Sequence, residues 1–174
     1  MDESILIKNM TKETLQQGRV VLFNSWLDTY PNEEFGISRS FIEGFVAQKL
    51  SESESKKVYD AWPTFNQGVD GLSLVAITGQ TVIGICYSSK LSGQTLKTLY
   101  VDKNYHGLGV GQALLSTALN WFDADKDVNL YVVDYNERAK AFYKKNGFYE
   151  AGPAEGLFAR KMPEVQMIRP GNKT

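Results

Sequence analysis

Three glycines at every second position stand out in the stretch YHGLGVGQALL, residues 105–115. Because Gly107, Gly109 and Gly111 carry no Cβ, the oxygen atoms of a ligand can approach the main chain closely. The stretch lies between a predicted strand and a predicted helix, and the amides at a helix start form the positive end of the helix dipole, which binds phosphate. A tight turn without a ligand is the alternative, but three glycines exceed what a turn needs.

The spacing of the glycines argues against two common nucleotide sites. A dinucleotide fingerprint requires G-x-G-x-x-G, but the third position is Gln112 when counted from Gly107 and Leu114 when counted from Gly109. The loop also follows predicted antiparallel strands rather than the first βα turn of the chain. A P-loop requires Gly-Lys-Ser/Thr, which does not occur in the sequence. The pattern therefore predicts a phosphate-bearing ligand of another kind.

The composition is that of an ordinary soluble globular protein. The 174 residues suffice for one domain with its own hydrophobic core. The net charge of −1 argues against a general nucleic-acid or acidic-membrane binder. No apolar run approaches the roughly 20 residues that span a bilayer, and residues 1–10 lack a signal pattern. The single cysteine, Cys86, lies in an apolar run, so we expect buried packing and a cytoplasmic, reducing environment.

The hydrophobic pattern predicts the element order β-α-α-β-β-β-α-β-α-β-β, which is a mixed α/β domain with one sheet covered by helices. A polar run, SESESKKVYD, ends the second helical stretch and is expected to be a solvated face or a loop. The predicted elements before the glycine loop are an edge strand at 4–10, helices at 11–30 and about 38–60, and β-rich runs between 72 and 102. After the loop we expect an amphipathic helix, a strand at 128–133, a helix that Asn136 caps and that runs to about Asn146, and two short strands. One face of the amphipathic helix carries Val110, Ala113, Leu114, Ala118 and Trp121.

The glycine loop resembles the acyl-CoA-binding segment of the GNAT superfamily of N-acetyltransferases, whose loop reads Arg/Gln-x-x-Gly-x-Gly/Ala. Residues 106–111 of LYVDKNYHGLGVGQALL match this pattern, with His106 in place of the usual arginine or glutamine. A second family signature, Asn-x-x-Ala-x-x-Phe-Tyr-x-x-x-Gly-Phe, is matched by NERAKAFYKKNGF at 136–148. One glycine loop alone is a weak signal, but two motifs at this spacing, with the expected strands around them, are a specific one.

The resemblance implies a single GNAT-like domain over residues 1–174, with a central mixed, mostly antiparallel sheet, splayed strands and about four flanking helices. Residues from about 1 to 70 would form the acceptor side, and those from about 71 to 170 would bind acyl-CoA. Acetyl-CoA would be the co-substrate, and a primary amine of a small molecule or peptide would attack it directly. A homodimer is one expectation from the superfamily; no metal, nucleic acid or membrane partner is expected.

The resemblance also assigns the cofactor site. The strand LYV would offer backbone N–H groups to the thioester oxygen and the pantetheine, and the loop amides would hold the pyrophosphate. His106 either donates to a phosphate or is a surface residue beside the loop. The implied cofactor-binding residues are Leu99, Tyr100, Val101, His106, Gly107, Leu108, Gly109, Val110, Gly111, Gln112, Asn136, Ala139 and Tyr143.

Tyr143 is the predicted general acid. It lies seven residues after Asn136, nearly two helical turns further on and on the same face. A phenol with a reference pKa of about 10 can give its proton to a departing thiolate. The alternative is that Phe142 and Tyr143 are core aromatics. Asn136 has a structural interpretation as the N-cap of its helix, which is compatible with a contact to the pantetheine.

The general base is left open. Many relatives carry a carboxylate on the strand before the loop, but this sequence offers only Lys97 there. A water chain to a nearby carboxylate, or an amine that arrives neutral, would also suffice. The candidate carboxylates are Asp102, Asp134, Glu33 and Glu34.

The stretch NSWLDTYPNEEFG, residues 24–36, resembles the acceptor-side segment of a GNAT subgroup with a Trp-x-x-Thr-Tyr pattern, here Trp26, Thr29 and Tyr30. Aromatic rings and acids together can hold a cationic amine, although aromatics at helical spacing are more often core. The acids favour a polyamine or another basic small molecule. The substrate-binding candidates are Trp26, Tyr30, Glu33, Glu34 and Asp134. A non-catalytic acyl-CoA-binding module is the alternative function.

Overall fold

The computed structural model describes residues 4–66, 70–156 and 162–172. Besides strands and α-helices, the described residues contain a 3₁₀ turn at Lys103–Tyr105. The strands are β1 (Leu6–Asn9), β2 (Gly71–Thr78), β3 (Thr81–Ser89), β4 (Gln94–Val101), β5 (Val128–Val133), β6 (Tyr149–Pro153) and β7 (Glu164–Arg169). The helices are α1 (Lys12–Thr29), α2 (Arg39–Leu50), α3 (Glu52–Asn66), α4 (Val110–Trp121) and α5 (Glu137–Lys145).

The seven strands form one sheet in the order β1-β2-β3-β4-β5-β7-β6. Every neighbouring pair is antiparallel except β4 and β5, which run parallel. The predicted mixed, mostly antiparallel sheet is therefore confirmed. The predicted edge position of β1 is confirmed as well. Among the helices of the described ranges, none combines the length and apolar character that a bilayer span requires.

Strands β4 and β5 pair only at their beginnings. Gln94–Leu96 pair with Val128–Leu130, and the register ends there. On the other side of β4, Tyr87 pairs with Thr98 and Ser88 pairs with Leu96, so that Lys97 is an extra, unpaired residue. Such a β-bulge bends its strand and increases the local twist. The bulge therefore lies where β4 separates from β5, and the strands splay as the resemblance implied.

Helices cover both faces of the sheet. On one face, Leu114 and Leu115 of α4 are fully buried in a cluster with Leu130 of β5. Cys86 belongs to this cluster and is 1% exposed, and burial raises the pKa of its thiol to about 12. The buried packing predicted for Cys86 is thus confirmed, because the ionised form that would make this thiol reactive is disfavoured.

The other face of the sheet is covered by α1 and α2. Phe23 of α1 and Ile42 of α2 lie in one cluster with Val133 of β5. A smaller cluster joins Val21 of α1 to Val75 of the sheet. The N-terminal helices and the sheet therefore share one core, and α1 lies over β3 and β4.

The helical stretch predicted at about 38–60 is divided in the structure. It breaks at Ser51, whose ψ of 153° is not helical and whose hydroxyl accepts a hydrogen bond from the amide of Glu54. The polar run after Ser51 forms α3, so its interpretation as a loop is wrong. Its interpretation as a solvated face agrees with surface ion pairs such as Lys56–Asp60 and Lys57–Glu54. The described residues thus contain five α-helices, against the four expected.

Helix α4 approaches the sheet closely at Gly84 of β3. A Cβ placed on Gly84 would lie 3.0 Å from Leu114 Cδ1, 3.2 Å from Val110 Cγ1 and 3.3 Å from the carbonyl oxygen of Tyr100. Val110 is the first residue of α4, so the missing side chain allows the start of this helix to rest on the sheet beside β4.

We expect Gly84→Ala to lower the free energy of unfolding by about 1–3 kcal/mol, because the added methyl group overpacks the junction of α4 and β3. Gly44→Ala is the matched control, since a Cβ at this exposed position in α2 meets nothing within 4 Å. That variant should gain about 0.5–1 kcal/mol from the better helix propensity of alanine. Urea denaturation measures both effects, and a Gly84→Ala protein as stable as wild type would contradict the close packing.

Candidate active site

A groove of about 930 Å³ opens where β4 and β5 separate. Its walls are the end of β4, the glycine loop with the start of α4, and the connection from β5 into α5. Ser25, Asp28 and Thr29 at the end of α1 contribute to the same lining. The two sequence motifs, which are some 30 residues apart in the chain, therefore face each other across one groove.

The edge of β4 that faces this groove carries backbone polar groups. The amide of Asp102 donates to the carbonyl oxygen of Ile83, so this residue's main-chain groups turn toward β3. Because main-chain direction alternates along a strand, the groups of Leu99 and Val101 turn the other way, toward the groove. Pairing with β5 has already ended at Leu96. An extended ligand with amides of its own can therefore pair with this edge.

The glycine loop has the conformation that its composition indicates. Gly107 and Gly109 both have φ of 80°, a left-handed conformation that strains other residues. Gly109 is the N-cap of α4, and the first intrahelical bond is donated by Ala113 to Gly109 at 2.9 Å. The amides at 110–112 precede that bond and have no partner within the helix. A helix start with such amides has the geometry that suits an anion, as the sequence predicts.

His106 lies between the loop and α5. Its Nε2 is 2.9 Å from the carbonyl oxygen of Val101, and its Nδ1 is 2.5 Å from Nη1 of Arg138. Both His106 and Arg138 line the groove. The histidine is therefore more than a surface residue beside the loop, because it connects β4 to the first turn of α5.

Tyr143 lies inside the groove, on α5. It is only 8% exposed, and its ring packs edge-on against Phe142 at 5.3 Å and Phe148 at 5.6 Å. Burial raises the pKa of this phenol well above its usual value, so the hydroxyl keeps its proton at neutral pH. Tyr143 is thus both a core aromatic and a groove residue. Asn136 caps α5 as predicted, since its Oδ1 accepts a hydrogen bond from the amide of Ala139 at 3.1 Å.

Two tyrosine hydroxyls meet at the β4 wall, one from buried Tyr30 and one from half-buried Tyr100. The hydroxyls of Tyr30 and Tyr100 are 2.5 Å apart, and burial raises the pKa of both phenols. Tyr135, which lines the groove, donates from its hydroxyl to the carbonyl oxygen of Tyr30 at 2.8 Å. These bonds attach the segment after α1 to both splayed strands.

The structure separates the two sets of sequence-predicted site residues. Of the cofactor candidates, all of which lie in the described ranges, Leu108 alone is not part of the groove lining, and it is 60% exposed.

None of the five substrate candidates belongs to that lining. Trp26 stacks on Phe45 in the α1–α2 core, with ring centres 5.4 Å apart and planes at 6°. The substrate candidates are Trp26, Tyr30, Glu33, Glu34 and Asp134.

The four carboxylates named as candidate bases either bind groups outside the groove lining or are exposed away from it. Asp134 accepts a hydrogen bond from Lys140 at 3.1 Å, and Asp102 caps the 3₁₀ turn by accepting from the amide of Asn104 at 2.9 Å. Glu33 and Glu34 are exposed in the connection between α1 and α2. Among the hydrogen bonds of the described residues, none joins one of these carboxylate side chains to a residue of the groove lining.

Glu164 is a carboxylate that the sequence reasoning missed. It begins β7 and pairs with Val133, so its side chain lies on the face of the sheet that carries the α1–α2 core. Burial raises the pKa of its carboxyl group, and its charge acts on both Tyr30 and Tyr100. Only the pairing of β5 with β7 places it there, and the local sequence carries no such signal.

Residues 70–150 match the family model of the acetyltransferase (GNAT) domain. Over these residues the chain matches a GNAT acetyltransferase domain. The matched residues include both sequence motifs, the splayed strands and nearly all of the groove described above. Within the GNAT domain, the glycine loop and α5 thus occupy opposite walls of one site.

Two proteins illustrate what the chain is similar to. The peptidyl-lysine N-acetyltransferase YjaB of Escherichia coli is 38% identical over 65 residues, which are 37% of this chain and 42% of that enzyme's length. The PaiA N-acetyltransferase of Thermoplasma acidophilum, solved with coenzyme A, is 24% identical, with a TM-score of 0.74 over 96% of this chain and 99% of the other. The solution structure of YjaB without ligand gives a TM-score of 0.60. At these identities the two structures establish the fold.

Gly109 and Gly111 are expected to respond differently to alanine. Gly109→Ala should lower the free energy of unfolding by about 1–2 kcal/mol, because φ of 80° is strained for alanine. A Cβ on Gly111 would meet Val101, Phe142 and Leu99 at 3.7–3.9 Å, which is ordinary contact. Gly111→Ala should therefore be as stable as wild type or slightly more so. Thermal unfolding compares the two variants, and equal losses would contradict this distinction.

Proposed function

We propose that the protein is an acetyl-CoA-dependent N-acetyltransferase that acts on a primary amine of a small molecule or a peptide by direct attack. The observation that carries this proposal is one groove with three kinds of group: the amides at the start of α4, the open edge of β4 and the buried phenol of Tyr143. The name of YjaB as a peptidyl-lysine N-acetyltransferase supports the inclusion of lysyl amines among the acceptors.

The donors of the groove fit acetyl-CoA in type and order. The diphosphate is anionic and suits the loop amides, while the amide groups of the pantetheine suit the main chain of Leu99 and Val101. The thioester, once bound, supplies an acetyl carbon that is open to attack by an amine. An N–H of the β4 edge directed at the thioester oxygen would stabilise the charge that develops there.

We propose that two parts of one domain have different roles. Residues from about 71 to 170 supply the groove walls that suit acetyl-CoA, and those from about 1 to 70 supply the end of α1 and the segment after it, on the acceptor side. A homodimer, expected from the resemblance, stays a prediction.

Tyr143 is proposed to protonate or hydrogen-bond the leaving sulfur. A thiol has a reference pKa of about 8.5, below that of a phenol. A buried phenol is a still weaker acid, but the same burial also disfavours the thiolate and raises the pKa of the departing thiol. The two groups therefore stay close enough in acidity for the hydroxyl of Tyr143 to stabilise the sulfur as negative charge develops on it.

Glu164 is proposed as the final proton acceptor on the amine side. Tyr100 lines the groove, its hydroxyl meets that of Tyr30, and the carboxylate of Glu164 acts electrostatically on both. The hydroxyl contact between the two tyrosines and the electrostatic influence of Glu164 on both support this proposal. A carboxylate with a raised pKa is also a stronger base than an exposed one, and therefore better matched to an ammonium group.

For Tyr143→Phe we expect turnover to fall by about 10²-fold or more, since general acids contribute about 10²–10⁴-fold. Binding of acetyl-CoA should change little, because the ring remains. Release of free thiol from acetyl-CoA measures turnover over a panel of polyamines, amino acids, aminoglycosides and lysine peptides, and calorimetry measures binding. Tyr131→Phe is the matched control, as Tyr131 is 50% exposed on β5.

Turnover of Tyr143→Phe equal to that of the control would refute the role of the phenol. If the wild-type protein binds acetyl-CoA but no amine releases thiol, the alternative of a non-catalytic acyl-CoA-binding module is correct. Absence of binding would refute both functions.

Glu164→Gln is expected to lower kcat/KM by about 10²-fold near neutral pH, because the amide cannot accept the proton. The acid limb of the pH profile, which reports ionisation of the base, should be lost as well. Glu43→Gln, at a surface carboxylate paired with Arg39, should leave the profile unchanged. A Glu164→Gln protein that keeps the acid limb would contradict the assignment.

A further inference from the structure

We infer that Arg138 is the cation that binds a phosphate of the cofactor and that His106 is a positioning residue for its guanidinium group. This inference rests on the proposed use of acetyl-CoA. The two residues meet at the mouth of the groove, where Nδ1 of His106 lies 2.5 Å from Nη1 of Arg138. The pair joins the first position of the glycine loop to the first turn of α5.

The contacts of His106 indicate which ring nitrogen donates a hydrogen bond and which accepts one. The carbonyl oxygen of Val101 can only accept, so the Nε2 that faces it at 2.9 Å must carry the hydrogen. Nδ1 then has a free lone pair and accepts from Nη1 of Arg138, whose Nη2 also lies 3.4 Å from Nε2. In this arrangement the histidine is occupied on both sides and the arginine carries the positive charge.

Most other charged side chains of the groove lining are paired, whereas Lys145 at the end of α5, like Arg138, has no carboxylate within salt-bridge distance among the described residues. Lys103 pairs with Asp28 at 3.0 Å, and Glu137 pairs with Lys140 at 2.7 Å. For Arg138, no carboxylate of the described residues lies within salt-bridge distance. The guanidinium therefore keeps donors available for an anion in the groove.

The position of Arg138 in its helix is unfavourable without such an anion. It is the second residue of α5, and a cation in the first turn opposes the positive end of the helix dipole. The loop amides at the start of α4 add a second positive end to the same groove. A phosphate bound between the two helix starts would reverse this penalty, because it would face the amides and the guanidinium together.

We expect Arg138→Ala to weaken binding of coenzyme A by about tenfold or more, as a charge-assisted hydrogen bond is lost. The difference should shrink as ionic strength rises, and binding of pantetheine, which has no phosphate, should not change. The midpoint of thermal unfolding without ligand should equal or exceed that of wild type. Calorimetry and thermal scans measure these effects. Lys144→Ala is the matched control, because it removes a cation of α5 that pairs with Glu150.

Moving the positive charge from position 138 on α5 to position 106 on the glycine loop tests the pairing directly. The double variant Arg138→Ala, His106→Arg carries the cation on the loop and should regain most of the lost affinity, whereas His106→Ala alone should weaken binding less than Arg138→Ala. Failure of the double variant to regain affinity would contradict a shared phosphate. Wild-type binding by Arg138→Ala would overturn the inference, whereas failure of the wild-type protein to bind coenzyme A would refute the proposed function.

Discussion

The end of pairing between β4 and β5 is the constraint on which the site depends. A parallel pair that continued past Leu96 and Leu130 would satisfy the main-chain groups of Leu99 and Val101 within the sheet. The extra residue at Lys97 bends β4 while it stays bonded to β3, so the strand is held firmly along one edge and is open along the other. The open edge therefore leaves the N–H groups of Leu99 and Val101 for a ligand, while the carbonyl oxygen of Val101 accepts from His106.

The two walls of this opening are held by different means. The start of α4 rests on Gly84, so the loop amides are fixed by close packing on β3. On the opposite wall, Asn136 caps α5, and Tyr143 of α5 is buried in the same core cluster as Leu114 and Leu130. His106 and Arg138 form a contact between the walls at the mouth of the groove. Local packing therefore sets each wall, and two polar contacts, His106 with Arg138 and Gln112 with Asn146, join them.

Sequence reasoning recovers the features that are local in the chain. The glycine spacing predicts the left-handed loop at Gly107 and Gly109, and the asparagine motif predicts the cap of α5, because each depends on a few consecutive residues. The break at Ser51 is missed because the polar run after it suits either a helix face or a loop. The contact of Arg138 with His106, 32 positions away, and the electrostatic influence of Glu164 on the tyrosine pair depend on how distant segments are arranged.

The acceptor-side aromatics illustrate why residue type alone assigns a role poorly. Trp26 and Tyr30 suit an aromatic cage for an amine, and helical spacing suits a core equally well. In the structure, Trp26 packs on Phe45, whereas Tyr30 is buried and bonded through its hydroxyl to Tyr100 on the groove wall. A buried hydroxyl needs such a partner because an unpaired one is costly to desolvate. Tyr30 can therefore serve the chemistry from within the core, through the hydroxyl of Tyr100, without lining the groove itself.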